Sequence, residues 1–148
     1  METAPSWSVT IDAPIEKVWP LVADLNQHSE WSPKPYSVTW LTGEPNAVGS
    51  TFRSVGWLPQ DKQHTMEGSV TANEPMRSFE VVTHDANEEW RNRYELAPSG
   101  TGTVVTKTMQ GPQLSGIKKA TFAFISAVFI KGAVQKGMNM LKMKAEAS

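Results

Sequence analysis

The sequence predicts an α+β fold in which a curved antiparallel sheet of seven strands wraps round a long C-terminal helix, with two short helices between the first two strands. Three observations carry this. Ser6 to Asp12 alternates polar and apolar residues strictly, and six further strand-like stretches follow between Tyr36 and Gln110. The breaks between successive strands are short and rich in Gly, Pro, Asn and Asp, which favours an antiparallel meander. From Thr121 the period changes, and Phe122, Ile125, Phe129, Gly132 or Ala133, Lys136, Met140 and Met143 step by three or four, as one face of a long helix does. A helix this apolar must lie against something, and the preceding sheet is the economical partner.

Taken in order, the alternation of the first strand turns Trp7, Val9 and Ile11 inward. Asp12-Ala13-Pro14 reads as a helix start, with Asp12 or a neighbour capping and Pro14 in the first turn, where its missing N–H does no harm. Ile15, Val18, Trp19, Val22 and Leu25 share one face of that helix. Asn26 to Trp31 reads as a second short helix, closed by Ser32-Pro33-Lys34-Pro35 because residues before proline avoid the helical region. The strands that follow are Tyr36 to Leu41, Ser50 to Gly56, Gln63 to Ala72, Arg77 to His84, Glu89 to Leu96 and Thr103 to Gln110. The 148 residues suit a single domain spanning 1–148, large enough to bury a core or surround a cavity.

Six tryptophans, five phenylalanines and seven methionines supply bulky, adaptable apolar side chains, and the absence of cysteine excludes disulfides and thiolate chemistry. Met1 to Pro5 has no basic start followed by an apolar run, so a cytoplasmic location is expected. A formal net charge of −1 argues against nucleic acid as a partner. It hides an asymmetry: from Gln113 onward six lysines (118, 119, 131, 136, 142, 144) face one acid, Glu146. A solvated helix face explains this most simply, with a surface for an acidic partner or membrane as the alternative. The apolar run breaks at Lys131, short of the roughly 20 residues that span a bilayer, so stable membrane insertion is not expected. No cofactor is implied, and the oligomeric state is not legible.

Four segments resemble the START-like helix-grip (SRPBCC) superfamily, and within it the bacterial polyketide cyclase/dehydrase and lipid-transport group. They are the opening strand running into Ile11-Asp12-Ala13-Pro14-Ile15-Glu16-Lys17-Val18-Trp19, then Trp31-Ser32-Pro33, Val48-Gly49-Ser50 before the third strand, and Glu74-Pro75. The resemblance covers nearly the whole chain but consists of scaffold signatures. It implies a helix-grip fold with a cavity between sheet and long helix, and its members range from cyclases and hydrolase-like enzymes to lipid and hormone carriers, so function must be argued from the cavity.

In such a fold, strand parity puts Val38 and Trp40, Phe52 and Ser54, Met66 and Val70, Phe79 and Val81, and Trp90, Asn92 and Tyr94 on the concave face, opposed by Phe122, Ile125 and Phe129. Of these, Trp40, Phe52, Met66, Phe79, Val81, Trp90, Tyr94, Phe122, Ile125 and Phe129 form the expected lining for a hydrophobic or amphipathic ligand such as a lipid, polyketide or aromatic metabolite. Whether the chain is also an enzyme is open, and if it is, the resemblance implies cyclase/dehydratase-like chemistry on a bound carbonyl compound. Tyr94, Asn92, His64 and Lys107 are the candidates to position and protonate it. Two registers are open for Lys107: Val105, Lys107 and Met109 inward, or Val104 and Thr106 inward with Lys107 in water, and the second is preferred. His28, His64 and His84 share no ligand spacing, so no metal site is expected. No Gly-x-Ser-x-Gly, P-loop or dinucleotide motif occurs. Glu89, Arg91, Arg93 and Glu95, with Arg53 and Glu67, read as cross-strand charge pairs on the solvated face. Gly132 and Gly137 inside the helix imply either close packing or a flexible point, and Gly56-Trp57-Leu58-Pro59-Gln60 suits the lip of an entrance.

Overall fold

The computed structural model describes residues 5–32, 36–56, 65–85, 88–111 and 131–147. Its elements are β1 (Ser6–Ile11), α1 (Ile15–Val22), α2 (Leu25–His28) running into a 3-10 turn (Ser29–Trp31), β2 (Ser37–Thr42), β3 (Thr51–Val55), β4 (Thr65–Glu74), β5 (Ser78–Asp85), β6 (Glu88–Ser99), β7 (Gly102–Gln110) and α3 (Lys131–Ala147). The seven strands form one curved antiparallel sheet in the order β1-β7-β6-β5-β4-β3-β2, so the meander closes by returning β7 beside β1. Irregularities between Trp40 and Thr42 and between Val70 and Ala72 interrupt the register, and such bulges sharpen the bend of a sheet. This is the α+β helix-grip architecture.

Local chemistry explains the start of the chain with one adjustment. Pro14 is the N-cap of α1 and no side chain caps it, whereas Asp24 caps α2 by accepting the Asn26 N–H at 3.0 Å. Leu25 opens α2 instead of extending the face of α1. Ile11, Val18, Val22, Leu25 and Trp31 are buried with Phe52, Phe79, Tyr94 and Val105 in one core.

The described part of α3 packs against β1, α1 and the 3-10 turn. It buries Val134, Gly137, Met138, Leu141 and Ala145, while Lys136 is exposed and Met143 is 70% exposed. Of the stripe expected through Lys136, Met140 and Met143, partly buried Met140 packs against the core, while Lys136 and Met143 are corrected to solvent positions beside a buried stripe that starts at Val134 and keeps the 3.6-residue period. Beyond Ile130 the apolar residues thin out, and the lysines weight neither stripe decisively. Lys142 donates to the Thr10 carbonyl at 2.9 Å and pairs with Glu146, whose carboxylate accepts the Asp12 N–H at 2.7 Å. Lys144 pairs with Glu30. These contacts fasten the end of the helix to the β1–α1 junction.

On the solvated face, Arg53 pairs with Glu67 at 2.9 Å across β3 and β4, the expected cross-strand arrangement, whereas Arg93 pairs with Glu95 at 3.3 Å two residues along the same strand. Glu80 is the unanticipated member. Its side chain, only 10% exposed, receives Arg91 at 2.7 Å, Arg93 at 3.5 Å and the Thr71 hydroxyl at 2.7 Å. Burial opposes its ionisation, but those donors and charges outweigh that and hold its carboxyl below the usual range.

Candidate functional site

β7 decides the site. Thr103, Val105, Lys107 and Met109 are all buried, while Val104, Thr106 and Thr108 between them are half-buried. The register with Lys107 in water is thus corrected. In antiparallel pairing, directly opposite residues share a face, and Lys107 stands opposite Trp7 on β1 and Tyr94 on β6, both buried. Val104 and Val105 are indistinguishable by type, so alternation within β7 leaves its phase undetermined.

Lys107 reaches a half-open cavity of about 60 Å³, room for roughly four water molecules. Its apolar walls are Leu25, Val38, Phe52 and Val81, and its polar ones include His28, Tyr36, Asn92, Tyr94 and Lys107. Among the described residues the helical part of this lining comes from α2 and none of it from α3. Of the other lining candidates, Phe79 is wholly buried in the core and Met66 is buried opposite Ser54. Trp40 donates its indole N–H to Asn26 at 3.2 Å and packs edge-on to Phe52, and Trp90 is partly buried against the core. None of these four lines the cavity. His64, Phe122, Ile125, Phe129 and the Trp57–Gln60 loop lie outside the described residues.

Charge in the cavity is set by burial. The Lys107 ammonium lies 5.2 Å from the centre of the Tyr94 ring and makes no ion pair among the described residues. Desolvation lowers its pKa from 10.5 to about 8. Burial raises the Tyr94 phenol above its ordinary range, and burial with Tyr94 nearby does the same for Tyr36. His28 is buried between Trp31, at 4.7 Å between ring centres, and Tyr94, at 5.3 Å. Its Nε2–H donates to the Val22 carbonyl at 2.6 Å. A carbonyl only accepts, so this bond fixes the neutral tautomer and leaves Nδ1 as the acceptor. Burial outweighs that bond, and the Lys107 charge adds to burial, so the imidazole pKa falls to about 4.

Asn92, two residues before Tyr94 on the same face of β6, lines the cavity, and its buried Oδ1 has no hydrogen-bond partner among the described residues. An unpaired buried amide oxygen is costly, and a site for a ligand donor is one reason for a fold to keep one. Leu25, His28, Tyr36 and Thr83 are cavity residues that sequence reasoning did not assign to the lining. His28 had one usable signal, its place on a short helix directly followed by the buried Trp31.

The match to known proteins agrees with this geometry. The family model described as polyketide cyclase/dehydrase and lipid transport matches residues 6–146. TTHA0849 from Thermus thermophilus superposes with a TM-score of 0.72 at 17% identity, covering 98% of this chain and 98% of that one. Ms6760 from Mycobacterium smegmatis gives 0.67 at 19% identity, over 96% of this chain and 90% of that one. DynU16, a protein of the dynemicin biosynthetic locus, gives 0.65 at 17% identity, with 97% of this chain covering 49% of that one. At these identities the likeness is one of fold. No curated protein matches the sequence. The strand order, the helix clasped at the β1 edge and the match across residues 6–146 place this chain in the polyketide cyclase/dehydrase and lipid transport family.

Proposed function

We propose that the chain binds a small amphipathic molecule bearing oxygen functions in the cavity between the sheet and α2. The observation that carries this is the pairing of apolar walls with polar groups that lack partners: the Asn92 amide oxygen, and a Lys107 ammonium with no counter-ion among the described residues. Apolar walls supply affinity at roughly 25 cal/mol per Å² buried, and a few placed polar groups fix orientation. A volume of about 60 Å³ suits a compact ligand, or one end of a longer lipid or polyketide whose remainder leaves through the open side. Native mass spectrometry of gently purified protein, followed by extraction, tests this. The expected result is a co-purifying molecule with a hydroxyl or carbonyl group that is lost in Asn92→Leu. A bound molecule retained unchanged in that variant would locate binding elsewhere.

The reading as a cyclase/dehydratase-like enzyme draws its support from Lys107, whose pKa near 8 suits proton transfer at neutral pH. A partner- or membrane-surface role for the basic helix face has less support, because Lys142 and Lys144 are engaged with Glu146 and Glu30. Among the described residues no helix is long and apolar enough to cross a membrane.

A further inference from the structure

We infer that Lys107 is a nucleophile, its ε-amine condensing with the aldehyde or ketone carbonyl of a small molecule held in the cavity to form an imine. The inference rests on the reading of the cavity as a ligand site. It goes further by naming the bond that forms and the ligand class that forms it.

Lys107 is buried, its Nζ faces the Tyr94 ring at 5.2 Å, and among the described residues no carboxylate lines the cavity to hold it as an ammonium. The titratable groups that face it are neutral at physiological pH: His28 from α2, Tyr36 from the approach to β2, and Tyr94 from β6. With a pKa near 8, about one Lys107 in ten is a free amine at pH 7, against a few in ten thousand for a solvated lysine. A lysine desolvated in an apolar pocket is a recognised way to make an amine reactive toward carbonyls.

The neighbouring groups discriminate between this role and a simple anion anchor. Asn92 and the neutral His28 line the same cavity, and neither brings a positive charge that would help Lys107 hold a carboxylate. The hydroxyl of the intermediate can hydrogen-bond to either side chain. In the first step the amine lone pair attacks the carbonyl carbon, a C–N bond forms, and the carbonyl oxygen takes one amine proton to give the carbinolamine. In the second the hydroxyl leaves with the remaining amine proton as water and the C=N bond forms. Amine plus carbonyl gives imine plus water, with no change of oxidation state.

The test is reductive trapping of the intact protein with butanal and cyanoborohydride at pH 7.5, read by intact mass and peptide mapping. 1-Butanol, which lacks the carbonyl, is titrated in parallel and followed through the Tyr94 ring resonances. Labelling at Lys107 at least tenfold faster than at the surface lysines, abolished in Lys107→Arg, is expected. Uniform labelling of surface lysines with Lys107 unmodified, while butanol still perturbs Tyr94, overturns the nucleophile and leaves the binding reading standing. Absence of both signals overturns the two together. The mapping uses the chain without substitutions, so its outcome does not depend on whether a variant folds.

Discussion

Replacing Lys107 by Met should make the protein more stable at neutral pH, and the size of the gain follows from the site. Burial displaces the lysine pKa from 10.5 to about 8, which at about 1.4 kcal/mol per pH unit means the charged form costs the fold about 3 kcal/mol. The contact with the Tyr94 ring returns about 1 kcal/mol of that. Methionine keeps length and removes charge, so Lys107→Met should gain about 2 kcal/mol at pH 7. The linkage has a definite sign. Below pH 8 the amine is protonated in both folded and unfolded chains and the full cost is present. Between pH 8 and 10.5 the unfolded chain holds the proton and the folded one does not, so stability rises with pH. Tyr36 and Tyr94 act oppositely: their raised folded pKa values make stability fall once unfolded tyrosines ionise, above about pH 10. Urea unfolding at pH 7, 8, 9 and 10 should therefore show the wild type gaining about 1–2 kcal/mol between pH 8 and 10, and Lys107→Met gaining nothing or losing slightly. A wild-type profile flat over that interval, or a variant less stable than the wild type at pH 7, would refute the reasoning.

Acid should expose His28 in the same manner. Its pKa lies at about 4 instead of 6.5, so stability should fall by about 3 kcal/mol from pH 6.5 to 4. Urea midpoints of His28→Phe should lose that part of the dependence. Gly68→Ala should destabilise by about 1–3 kcal/mol, because a Cβ there would meet the Val82 carbonyl oxygen at 2.6 Å and the Phe52 ring at 2.7 Å. Since Phe52 also walls the cavity, ligand affinity measured by calorimetry should fall with it. Gly132→Ala should stabilise by about 0.5–1 kcal/mol, since no heavy atom of the described residues lies within 4 Å of the added methyl. Among the described residues, close packing does not account for that glycine. If it is a flexible point, the same variant should slow ligand exchange, and equal exchange rates at equal affinity would count against that role.

The sheet was legible because period-two alternation and turn residues are local signals, and every strand boundary in the described residues falls within a few positions of its expectation. The buried row of β7 was not, because Val104-Val105 erases the alternation and the decision passes to Trp7 and Tyr94 on two other strands. α3 misled for a related reason. Periodic apolar residues in the sequence before Lys131 predict a stripe that, carried forward, lands on exposed Lys136 and Met143. Asn92 and Tyr94 were placed on the concave face by parity alone, and both line the cavity. His28 was hidden because its burial and tautomer depend on the Val22 carbonyl and on aromatic rings from distant segments. The charge pairs on β6 were readable in kind, but Glu80 as their common partner required the pairing of β5 with β6.

The central claim is that an unpaired amide oxygen beside a buried lysine marks a binding site for an oxygenated small molecule. Its most direct measurement follows the Asn92 side-chain amide in a proton–nitrogen correlation spectrum while four-carbon compounds of matched size are added: alcohol, ketone, carboxylate and alkane. Saturable shifts of Asn92 are expected with the alcohol and the ketone, weaker ones with the carboxylate and none with the alkane. An Asn92 signal unmoved by every compound, or moved equally by the alkane, would contradict it.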